Sequence, residues 1–127
     1  MDNAYSIVLE ESGDGEEILI VLKDMHKATY NMEIIEKIQR AHEKVKEENP
    51  DILPIRTGRL VIGSCDACRY IHKGYKAAAI MGTEKGRNKA PHWHSPEDTP
   101  EKINKKVLMD FLKISLKFVE IIDQEFE

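Results

Sequence analysis

Five apolar residues in succession, Ile18-Leu-Ile-Val-Leu22, constrain this chain more than any other feature. A run of that length is a strand's length, and it leaves no polar side chain for a surface facing water. It predicts a strand covered on both faces, as in a sheet with helices on each side. The flanking sequence agrees. Ala4 to Leu9 is a shorter β-prone run, and Ser12-Gly-Asp-Gly15 reads as the turn between the two. Asn31 is placed to cap a helix running to about Glu48, whose Ile34, Ile35, Ile38, Ala41 and Val45 recur at three- and four-residue spacing and form one buried stripe. Asn49-Pro50 ends that helix, because a residue before proline disfavours helical dihedrals.

The second part of the chain repeats the alternation. Ile52 to Ile62 is apolar with a break at Thr57-Gly58, which predicts one or two short extended pieces. Asp66 to Lys73 reads as a short helix closed by Gly74, a residue that tolerates the left-handed cap conformation. Tyr75 to Met81 reads as a further strand, with Ala77, Ala78 and Ala79 small enough for a helix to pack closely, and Gly82 to Pro91 as a loop. Asn104 is placed to cap a helix from Lys105 to about Phe126. Val107, Leu108, Phe111, Leu112, Ser115, Phe118, Val119 and Ile122 fall on one side of it, and Lys106, Asp110, Lys113, Lys117 and Glu120 largely on another. Leu116 and Ile121 widen the apolar stripe, so this helix is expected to lie deep against a sheet. Alternating helix and strand signals place the chain in the α/β class, and 127 residues suit one domain.

Composition excludes several classes of function. The net charge of -4 offers no general attraction to nucleic acid or to an anionic membrane, each of which needs a basic patch. No apolar run approaches the roughly 20 residues that a membrane helix requires. Met1-Asp-Asn-Ala-Tyr5 has neither a basic nor an apolar leader region, so a cytoplasmic location is expected.

The segment from Gly82 to Thr99 concentrates the chemistry. It follows a strand and precedes a long helix, the place where open α/β sheets hold ligands, and it carries His92, Trp93, His94, Glu97 and Asp98. A neutral imidazole is a good zinc ligand, and a nearby carboxylate commonly takes its other N–H. His94 with Asp98 fits that pairing if the chain turns at Pro96. On spacing alone, His92 and His94 are equally loop histidines, with Asp98-Thr99 starting a helix. Cys65 and Cys68 form a lone C-x-x-C, either a redox pair, part of a zinc site, or two small side chains at a helix start.

Three blocks carry a resemblance. Ser6-Ile-Val-Leu-Glu-Glu-Ser-Gly13 is a strand ending in an acid before a glycine turn. Gly63 to Gly82 joins a Ser/Asp-bearing block to a short helix, a glycine and a strand. His94-Ser-Pro-Glu-Asp-Thr-Pro-Glu-Lys-Ile103 leads into the long final helix. In this order the blocks resemble the C-terminal half of the di-zinc exopeptidases of the aminopeptidase Y type. The resemblance implies a partial three-layer α/β/α sandwich with a mixed sheet, a zinc cofactor and a peptide substrate. His94 matches the family's last metal-ligand histidine, and Glu10 matches its acidic ligand, which is more often Asp. Asp66 matches an acid near the substrate pocket, and Asp98 stands behind His94. A solvated acid for Glu10 and a helix cap for Asp66 are the plainer alternatives.

The family's remaining ligands and its glutamate base have no counterpart here. Glu16-Glu17 lies beyond the turn, and His26, His42 and His72 occupy positions without a family equivalent. Two ligands hold zinc weakly, and without a base nothing activates the attacking water. The resemblance therefore implies a chain that is silent by itself, with either a second copy or a complementary chain as partner. The alternatives are a non-catalytic binding or assembly module, and a thiol protein using Cys65 and Cys68.

Overall fold

The computed structural model describes residues 4–126. Met1 to Asn3, part of the segment read for a leader, lie outside the described residues. The elements run β1 (Tyr5–Glu10), β2 (Glu17–Lys23), α1 (Met32–Glu48), β3 (Ile55–Arg59), α2 (Ala67–His72), β4 (Lys76–Thr83), a 3-10 turn (Pro100–Lys102) and α3 (Lys105–Glu125). The chain is mixed α/β. Its four strands form one sheet in the order β1-β4-β2-β3, with β1 parallel to β4, β2 antiparallel to β4, and β3 parallel to β2. Among the described residues no helix is long and apolar enough to cross a membrane.

The two central strands explain the opening feature. Ile18, Leu19, Ile20 and Val21 on β2 and Ala77 to Ile80 on β4 are all buried, so both faces of the sheet's middle are covered. Alternate side chains of a strand point to opposite faces, which makes a continuous apolar run the expected signature here. α1 forms as its pattern requires. The Asn31 side chain accepts the Ile34 N–H at 3.0 Å, and Ile34, Ile35, Ile38, Ala41 and Val45 are buried. Gly74 follows α2 at φ +87°, the left-handed conformation expected of a helix-terminating glycine.

Three expectations need correction. First, β4 continues through Gly82 and Thr83, so the loop begins at Glu84. Gly82 pairs with Ile18 and Thr83 with Glu17, and this non-local pairing leaves no local period to read. Second, the buried face of α3 is rotated from the one expected: Val107, Phe111 and Phe118 are buried, but so are Asp110, Ile114 and Ile121, while Leu108, Leu112 and Val119 are exposed. Asp110 is buried because its carboxylate accepts the Leu53 N–H at 3.0 Å and the Lys106 ammonium at 2.6 Å. Third, α3 packs chiefly against α1, not deep against the sheet. The apolar stripe was broad because the helix carries two stripes, of which α1 covers one.

α3 is also fixed at both ends beside the edge strand β1. Asn104 donates its backbone N–H to the Gly13 carbonyl at 2.7 Å, and the Phe126 and Tyr5 rings lie 6.4 Å apart. The helix thus runs antiparallel to β1, and its N-terminal end holds the turn that follows Glu10.

Candidate functional site

Glu10 is the last residue of β1 and lies in register with Met81 of β4. The connection leaving β4 returns over the same region through Trp93 and His94, and the segment entering α2 brings Ser64, Cys65 and Asp66. Together these form a polar cavity of about 560 Å³ whose walls include Glu10, Glu11, Asp66, Arg69, His72 and His94. An apolar cavity of about 610 Å³ adjoins it, lined by Leu60, Val61, Ile62, Met81 and Ala90, and the two share Ser64, Trp93 and His94.

Three of the four expected site residues therefore come together. Glu10, Asp66 and His94 line one cavity although they come from β1, the start of α2 and the long connection to α3. Asp66 stands at the N-terminus of α2, yet its side chain makes no capping hydrogen bond, so the plain cap does not account for it. Asp98 is different. Its charge acts on Glu11, and among the described residues no hydrogen bond joins it to His94. The paired imidazole is His92, whose Nδ1 lies 2.5 Å from the Asp14 carboxylate. That contact fixes the turn after β1 against the loop that carries Trp93 and His94, whose rings stack with centroids 4.0 Å apart.

Two acids in the wall have raised proton affinity. Partial burial pushes the Glu10 carboxyl above its ordinary range; the Asp66 backbone N–H opposes this, and the Asp66 carboxylate adds to it. Burial also raises Glu11, reinforced by the charges of Asp98, Glu10 and Asp14 and opposed by His94. A bound cation would relieve both, since an opposite charge within a few ångströms favours the ionised carboxylate. Glu11 and His94 also adopt φ values of +46° and +51°. The left-handed conformation costs a non-glycine residue about 1 kcal/mol or more. Both strained residues line this cavity, and such strain concentrates at functional sites.

Several wall residues were not proposed for the site from the sequence, where His72 stands only as a position without a family equivalent. Arg69 and His72 follow Asp66 at intervals of three, which is the signal that would have put them on one side of a short helix. Glu11 adjoins Glu10, but only the turn conformation brings its carboxylate to the same wall. His26, Cys65 and Cys68 also line this cavity, while His42 and Cys65 are held by contacts within the fold. His42 Nε2 lies 2.8 Å from the Leu53 carbonyl, and Cys65 Sγ lies 3.0 Å from the Tyr30 hydroxyl, which donates to buried Asp24 at 2.8 Å. Burial pushes the Cys65 thiol up, the reverse of what a reactive thiolate needs.

The donors suit zinc in kind, because carboxylate oxygen and imidazole nitrogen are common ligands. They fall short in number: among the described residues no three His, Cys, Asp or Glu side chains are grouped so as to hold an ion. A stable site uses three or four protein groups. Comparison with protein-family models, with curated proteins and with solved structures gives no match to this chain.

Proposed function

We propose that this chain is a zinc-exopeptidase-like domain whose acidic cavity forms one corner of a site for metal-assisted peptide hydrolysis. The supporting observation is the convergence of Glu10, Asp66 and His94, the three positions taken from the resemblance, on one cavity wall. In this reading Glu10 and His94 are metal-holding groups. Asp66, with Glu11 and Asp98 nearby, attracts the cationic amino terminus of a peptide, and the adjoining apolar cavity accepts its first side chain. The mixed sheet with its long final helix is then part of a three-layer α/β/α sandwich. A complementary chain supplies the donors that are missing from the cavity, and hydrolysis by this chain alone stays near background.

A second reading, a non-catalytic assembly module, is favoured by the apolar stripe left exposed on α3. Calorimetric titration with an amino-acid hydroxamate separates the two, because that probe offers an α-amino group and a metal-chelating group together. The exopeptidase-like reading expects binding that requires zinc, is lost in His94→Ala and is weakened in Glu10→Gln. Zinc-independent binding, or no binding at any zinc concentration, leaves the assembly module as the better account.

A further inference from the structure

Two stripes run along α3. Val107, Phe111, Ile114, Phe118 and Ile121 form the stripe that is buried in the fold, where α3 lies against α1. The second stripe is made of Lys105, Met109, Leu112, Leu116, Val119 and Asp123, and all six are exposed. Its intervals alternate between four and three residues from one end to the other, the spacing of a helix that packs along a second helix. Leu112, Leu116 and Val119 at its centre are 47%, 57% and 59% exposed. Apolar side chains in contiguous rows are uncommon on an isolated surface and mark an interaction site.

The charges identify the occupant. Lys102, Lys105 and Lys106 lie with Glu101 at the N-terminal end of α3, and Glu120, Asp123 and Glu125 at its C-terminal end, with Lys106, Glu120 and Glu125 already paired within the chain. Lys105 and Asp123 lie within the stripe itself, and among the described residues neither makes an ion pair. We infer that α3 pairs antiparallel with α3 of a second copy of this chain, about a twofold axis level with Ile114. That register sets Lys105 opposite the second copy's Asp123, Met109 opposite its Val119, and Leu112 opposite its Leu116. A twofold pairing must be self-complementary, and this stripe has apolar residues at its centre with opposite charges at its two ends. A parallel pairing would instead set lysine against lysine and aspartate against aspartate. The antiparallel arrangement also aligns the two helix dipoles favourably.

Sedimentation velocity over a concentration series tests this, with thermal melts confirming that each variant is folded. The 14.6 kDa chain is expected to form a dimer, and Leu112→Glu with Leu116→Glu to make it monomeric. Lys105→Glu alone and Asp123→Lys alone should each weaken the dimer about fivefold, as expected for a peripheral pair turned repulsive, and the two together should restore it. The charge variants lie on the surface and carry the test even if the leucine variant misfolds. A chain that is monomeric at every concentration overturns the inference and leaves the stripe to a different protein. A dimer that survives Leu112→Glu with Leu116→Glu, or that the double charge exchange fails to restore, overturns it as well.

Discussion

Glu10 and Glu11 follow one another at the end of β1, and both carboxyls are raised above their ordinary range, chiefly by burial. For a carboxyl raised in the folded state, the folded chain holds its proton more tightly than the unfolded chain, so stability falls as pH rises between the unfolded and folded pKa values. The penalty is absent below that window and complete above it. Glu10→Gln removes the charge and keeps the shape, so it should melt at a higher temperature than the wild type at neutral pH. The difference should shrink towards zero at acid pH. Glu17 behaves in the opposite sense, since the Gly86 N–H and then Arg56 hold its carboxyl low. Comparing wild type and variant at each pH removes that background. Equal melting temperatures at neutral pH would show that Glu10 is not electrostatically costly. A residue kept at a cost to stability is a common mark of a functional site and agrees with a binding role for Glu10.

The turn between β1 and β2 lies directly on β4. A Cβ on Gly82 would stand 1.9 Å from the Asp14 carbonyl oxygen and 2.6 Å from that of Glu11. Both obstacles are backbone, so Gly82→Ala must displace the whole turn. The cost should be about 3 kcal/mol, read from urea denaturation, at the upper end of ordinary overpacking. The same shift would pull Asp14 from His92 and move Glu11 out of the cavity wall. Local elements were legible before the structure: Asn31 and Asn104 cap the helices expected of them, and the α1 stripe is buried throughout. Gly82 was not, because its neighbours come from a turn far away in sequence. The same holds for Asp14 with His92, 78 residues apart. Asp110 misled for a related reason, since a carboxylate among lysines reads as a solvated face until the Leu53 N–H supplies a buried partner. At the cavity, sequence resemblance brought Glu10, Asp66 and His94 forward, but it carried nothing about Arg69 or the strained turn at Glu11.

At the scale of the whole molecule, two surfaces stand apart: the cavities at the end of β1 and the outward stripe of α3. The two cavities meet at Ser64, Trp93 and His94, so a polar chamber bearing Glu10, Glu11 and Asp66 adjoins an apolar one. The outward stripe of α3 faces away from the buried stripe, and it is the surface proposed to pair with a second copy of the chain. The donor set of the cavity and the uncovered face of α3 are separate features, since no α3 residue lines the cavity. The metal-holding role of the cavity is tested most directly by zinc competition against a chromophoric chelator, comparing wild type with His94→Ala, Glu10→Gln and Cys65→Ser. The account predicts one weak zinc site per chain, with affinity falling at least about tenfold in the first two variants and unchanged in the third. Zinc binding that persists in His94→Ala and Glu10→Gln but is lost in Cys65→Ser, or no zinc binding by the wild type, would contradict it.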